Sequence, residues 1–288
     1  MPSAAPRPPR SQPATPGPGP AGGGVLPGVL RRRPALIGLC AALVTLLLAV
    51  AALLPLPFSV ALPGETVDVQ GRSGGEPVIR ISGTGVREPE GELRMTTIQA
   101  TGPDATVRLP DVVSGWFSDE RAVMPRDAVY PVGRSPREIR EYNAEQMTAS
   151  QDAAAEAALA LLDLTGQGIE VELTLRDVGG PSAGLLFALG IVNLLAGDGE
   201  GGDLTGGRVI AGTGTIGADG TVGPVGGVPL KTQAARRDGA TVFLVPREEC
   251  GDAAGGLPEG LRLIPVETLR GAVDALRALA DGGPVPAC

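Results

Sequence analysis

Read from the amino terminus, the first long apolar run is Ala35 to Leu54, twenty residues without a charge that end at Pro55 and Pro57. A helix rising about 1.5 Å per residue covers roughly 30 Å over that length, the thickness of a hydrocarbon layer. The run predicts one transmembrane helix over residues 35–55. Residues 1–34 are dominated by Pro, Gly, Ala and Ser with no apolar period, which predicts a disordered tail. From Leu62 to Val129, short extended runs recur at Thr66–Val69, Pro77–Ile81, Glu92–Ile98 and Thr106–Leu109, separated by Gly, Pro and Asp. They predict an antiparallel, β-rich segment over residues 56–133.

The period changes after residue 133. Ser135, Pro136 and Glu138 fit a capping box with proline at the first helical position, and apolar or Ala positions carry a helix from there to near Gly166. Ile169 to Leu175 alternates as a half-buried strand, and Leu185 to Ala196 is an apolar helix. Beyond the glycine and acid loop Gly197–Gly207, the pattern predicts a strand over Arg208–Ile216. A tight turn at Asp219-Gly220 then returns Thr221 and Val222 as a hairpin. A helix over Pro229–Arg237, a strand over Thr241–Pro246 and an amphipathic helix over Val266–Ala280 complete an α+β region, residues 134–282.

Charge adds a direction. Arg31, Arg32 and Arg33 directly precede the apolar run and hold that side in the cytoplasm, which sends the rest of the chain outside the cell membrane. Ser59-Val60-Ala61 also offers a small-x-small site at which a signal peptide would be cut. A leader reaching Arg33 is long for a signal, which favours a retained single-pass anchor. Five of the 24 basic residues lie before residue 35, so the remainder sets 19 against 32 acids, a net of −13. Such a domain repels phosphate backbones, and nucleic acid is not expected as a partner.

The chain has no His, and Lys231 is its single lysine. Without His, Ser-His-Asp and Cys-His machinery is excluded and zinc and iron sites lose their commonest ligand, so neither metal nor cofactor is expected. Lys231 stands where Arg fills every other basic position, which points to a task that a permanently charged guanidinium cannot do. A buried amine can lose its proton. Lowering it from about 10.4 to about 7 requires roughly 4 to 5 kcal/mol from the environment, and Val228, Leu230, Ala234 and Ala235 could supply a dry one. Ser182, alone, reads as an N-cap of the apolar helix that follows it. Paired with Lys231 it reads as a nucleophile whose small neighbours admit a substrate backbone. Cys250 and Cys288 either pair in an oxidising compartment or stay as two thiols. Gly212, Gly214 and Gly217 fit a dinucleotide fingerprint, but a hairpin turn follows where a helix should open. Asp198, Glu200 and Asp203 read as a solvated loop rather than a calcium site.

Four ordered segments carry a resemblance: Met147–Leu162 (MTASQDAAAEAALALL), Gly180–Gly184 (GPSAG), Ala211–Ile216 (AGTGTI) and Gly223–Ala235 (GPVGGVPLKTQAA). Together they resemble the proteolytic domain of the Lon family. Upstream, GELRMTT and AVMPRDAVYP resemble bacterial membrane-anchored Lon-like peptidases. The resemblance implies an ATP-independent serine endopeptidase with Ser182 as nucleophile, Lys231 as general base and Thr213 holding the amine. Gly180 and Ala183 would border the oxyanion hole with backbone N–H groups as donors, and Pro181 between Gly180 and the serine would support the motif. It also implies protein or peptide substrates and a homo-oligomer, commonly a hexamer. The chain departs from the family pattern at Gly179, where many members carry an acid; Asp177 lies two residues further back. Few residues separate the long helix from Ile169, which leaves no room for a PDZ insert there. A Walker A loop needs a lysine, and Lys231 is already assigned. The rivals are a catalytically silent peptide-binding module on the same fold and an envelope scaffold whose anchor does the main work.

Overall fold

The computed structural model describes residues 32–102, 104–118, 120–130, 135–175 and 178–288. The expected tail up to residue 31, and Asp177, lie outside the described residues. The chain divides into two units, Met1–Ala51 and Ala52–Cys288. The described part of the first is helix α1 (Arg32–Leu53), whose last two residues belong to the second unit. Residues 34–51 are all exposed, and Pro34–Leu53 is long and apolar enough to cross a membrane; a signal sequence has the same character.

The second unit begins with strands β1 (Phe58–Asp68), β2 (Arg72–Ser73), β3 (Glu76–Pro77), β4 (Ile79–Ser82) and β5 (Glu92–Ala100). Helix α2 (Leu109–Trp116), strand β6 (Ala122–Pro125), helices α3 (Arg126–Val129) and α4 (Pro136–Leu161), and strand β7 (Glu170–Leu173) follow. A 3₁₀ turn, Pro181–Ala183, leads into α5 (Gly184–Ala196), then β8 (Val209–Gly212), β9 (Thr215–Ile216), β10 (Val222–Gly223) and α6 (Val228–Arg237). The last elements are β11 (Val242–Pro246), α7 (Cys250–Ala254), β12 (Arg262–Val266) and α8 (Leu269–Ala280). The fold is α+β, as the mixed order of patterns predicts.

A six-stranded sheet in the order β12-β11-β8-β5-β1-β6 organises the unit. From β12 to β5 neighbours run parallel, and β1 is antiparallel to both β5 and β6. Parallel strands are covered on both faces, so β11 reads as an unbroken apolar run and is buried at every position. Helix α5 packs between the sheet and α4 and α8; Leu185, Leu186, Phe187, Leu189 and Ile191 are fully enclosed. Such all-round apolarity marks a core helix rather than a surface one. Helix α4 starts where its cap dictates: Ser135 Oγ accepts from the Glu138 amide at 3.3 Å while Glu138 Oε2 accepts from the Ser135 amide at 2.6 Å.

Three expectations need correction. Thr106–Leu109 is not a strand; Val107 forms an isolated bridge with Leu56, and α2 begins at Leu109 with Asp111 accepting from the Arg108 amide at 2.9 Å. The alternation of Val107 and Leu109 mimics a strand over too short a window to reveal the helix. The six-stranded sheet draws strands from both 56–133 and 134–282, because β5 pairs with β1 on one side and β8 on the other. Arg208–Ile216 is two strands, β8 and β9, which lie in separate sheets. Val266 ends a strand, and the last helix waits for Thr268, whose hydroxyl caps the Gly271 amide at 3.0 Å.

Candidate active site

Helix α6, which packs against β1 and β5, carries Lys231. Gly227 precedes α6 with φ +72°, a left-handed conformation that favours glycine, and a Cβ there would lie 2.9 Å from Ile98 Cγ2 on β5. The glycine thus lets the start of α6 lie close against the sheet. Val228, Leu230, Ala234 and Ala235 are buried around Lys231, which itself keeps only 3% of its surface exposed. Its amine donates to Thr213 Oγ1 at 2.9 Å. Burial strips the ammonium of water and brings its pKa from 10.5 down to about 8, while the Glu249 carboxylate pulls weakly the other way.

Ser182 occupies the middle of the 3₁₀ turn, one residue before the N-cap of α5. The cap reading is therefore corrected: Ala183 is the N-cap of α5, and no side chain caps it. The turn is held from three sides. The Ser182 carbonyl accepts from Thr213 Oγ1 at 3.2 Å and from the Gly214 amide at 3.0 Å. Ser150 Oγ, on α4, donates to the Pro181 carbonyl at 3.0 Å, and the Gly180 amide donates to the Asn143 carbonyl at 3.0 Å. Gly180 has φ +92°, so the turn is entered through a conformation that favours glycine.

A cleft of about 450 Å³ has both Ser182 and Lys231 in its wall, with Gly180 and Ala183 beside them. Thr213 links the pair, accepting from the amine and donating to the serine backbone. No hydrogen bond joins the Lys231 amine to the Ser182 hydroxyl among the described residues. The Gly180 amide is engaged by Asn143 in this conformation and is not free to meet an oxyanion.

The opposite wall comes from β1 and β5, through Gly64, Val67, Met95 and Thr97, with Met147 of α4 between. Sequence reasoning missed this wall, as it missed Ser150, Asn143 and Glu249. Chemistry-bearing motifs identify reacting groups, whereas these residues act through register and packing; the helix period that puts Met147 and Ser150 on one face is their only sequence signal.

Away from the cleft, Cys250 and Cys288 are joined in a disulfide with Cα atoms 5.3 Å apart, and Cys40 is free and exposed on α1. The glycines Gly212, Gly214 and Gly217 run into the antiparallel pair β9 and β10, not into a helix. Asp198 accepts from the Glu200 and Gly202 amides, and Asp203 from the Asn193 side chain. Among the described residues no group of three or more His, Cys, Asp or Glu could hold a metal ion.

Residues 142–276 match the sequence model of the Lon protease (S16) C-terminal proteolytic domain. A Lon protease of Chloroflexus aggregans is 34% identical over 111 residues, which cover 37% of this chain and 12% of that protein. The matched region is thus a small part of that relative's length.

Proposed function

We propose, from the Lon-type proteolytic domain that residues 142–276 form, that this chain is an ATP-independent serine endopeptidase acting through Ser182 and Lys231. The observation that carries the reading is the enclosure of its one lysine in the wall of the cleft that also holds Ser182. In that setting the neutral Lys231 amine removes the Ser182 proton as Oγ attacks a peptide carbonyl. The Ala183 amide, at the head of α5, faces the developing oxyanion. The Lys231 ammonium then returns its proton to the leaving amine, and water hydrolyses the acyl-enzyme. A substrate that closes the gap between amine and hydroxyl is consistent with catalytic hydrogen bonds that tighten only on binding. Thr213 orients the amine and fixes the serine backbone with one hydroxyl.

Substrates are unfolded or flexible proteins, because no second lysine is present for a Walker A loop. The domain works at the outer face of the membrane, with α1 as a retained anchor and residues before it in the cytoplasm. The Cys250–Cys288 disulfide supports an oxidising compartment.

Full-length protein in detergent should cleave casein with and without ATP at equal rates. Ser182→Ala and Lys231→Arg should both abolish cleavage while thermal unfolding stays cooperative. Undiminished cleavage by both variants would defeat the assignment to Ser182 and Lys231, and a parent that cleaves nothing would leave the silent peptide-binding module as the better reading.

A further inference from the structure

Helix α2 leaves an apolar face uncovered. Val112 and Gly115 are buried, Val112 in a small cluster with Val60 and Val107. Leu109, Val113 and Trp116 recur at helical spacings on the adjoining face, and Phe117 extends it past the last turn. They are 38%, 40%, 74% and 88% exposed, whereas Asp111 and Ser114 fall on the far side of the helix. The chain has a single Trp and four Phe, and this face carries the Trp and one Phe in open contact with solvent. A grouped apolar face of this kind marks an interaction site rather than an ordinary surface.

The point at which α2 is tied identifies what covers it. The Leu56 amide donates to the Val107 carbonyl at 2.8 Å, two residues ahead of α2. Leu56 lies only three residues beyond Leu53, the last residue of α1. Three extended residues reach at most about 11 Å, comparable to the polar layer that flanks a hydrocarbon core. We infer that α2 is a second, interfacial membrane contact, in which Leu109, Val113, Trp116 and Phe117 enter the headgroup layer of the bilayer that α1 spans. Tryptophan suits that layer, with an apolar ring on one side and an N–H for water or phosphate on the other. The contact rests on the reading of α1 as a retained span, and it would hold the protein against the surface at two points instead of one.

Trp116 is the only tryptophan, so its fluorescence reports this face alone. The full-length protein is reconstituted into vesicles of phosphatidylcholine and phosphatidylglycerol, and flotation is measured alongside emission. Lipids brominated near the headgroup end of the acyl chains should remove most of the Trp116 signal, and aqueous acrylamide should remove little. Val113→Asp should reverse both responses. Floating protein whose Trp116 is quenched by acrylamide and not by bromolipid would overturn the inference while leaving the anchor intact. Shielding from both quenchers would assign the face to a second protein copy and overturn it equally. Protein that fails to float would sink the anchor reading and this inference with it.

Discussion

At the scale of single residues, the cost of enclosing Lys231 is the quantity that ties stability to activity. The unfolded amine titrates near 10.5 and the folded one at about 8. Below pH 8 both states are protonated and the folded state bears the full penalty, roughly 3 kcal/mol. Between 8 and 10.5 the unfolded state binds more protons, so stability rises with pH, and above that window the penalty is gone. Lys231→Met keeps the length of the side chain without the charge. It should be inactive yet more stable than the parent at pH 7, with the advantage shrinking toward pH 10; urea unfolding at several pH values measures it. Cleavage by the parent should correspondingly climb as pH passes about 8. Thr213→Val leaves the amine without its acceptor and the Ser182 carbonyl with one donor fewer. A loss of about tenfold to a hundredfold in kcat is expected, the rate equivalent of an unsatisfied buried polar group. An unchanged kcat would remove Thr213 from any positioning role.

At the scale of elements, Gly227 shows how backbone geometry sets the site. Alanine there must hold a left-handed conformation and press on Ile98, so Gly227→Ala should cost about 1 to 3 kcal/mol of stability. Because α6 carries Lys231 in its first turn, kcat should fall further than that loss alone predicts; thermal melts paired with peptide cleavage separate the two. The same geometry explains what was legible in the sequence. GPSAG and GPVGGVPLK could be read because glycine, serine and a solitary lysine are restricted choices with direct chemical consequences. The long helix α4 could be read from its capping box. Strand β12 could not, since Pro265 within Arg-Leu-Ile-Pro-Val interrupts the apolar signal that parallel pairing with β11 requires. The wall supplied by β1 and β5 was equally silent, as strands far apart in sequence meet at the cleft only through sheet order.

At the scale of the whole molecule, the disulfide connects compartment with stability. Cys250 and Cys288 are 38 residues apart, and closing a loop of that size constrains the unfolded chain by about 4 kcal/mol in the chain-entropy account. For a domain of this size that corresponds to roughly 10 °C in Tm. Cys288→Ser should lower the melting point by about that amount, and a reductant should lower the parent's but not the variant's. Under the proposed anchoring by α1, the bond also reports the side of the membrane on which the domain works, because cytosolic thiols are kept reduced. Of the three cysteines only Cys40 is free. Denatured protein taken directly from cells should therefore accept one maleimide label per chain before reduction and three after. Three labels without reduction would put the domain on the cytoplasmic side and reverse the orientation argued from Arg31, Arg32 and Arg33, while leaving the chemistry of Ser182 and Lys231 untouched.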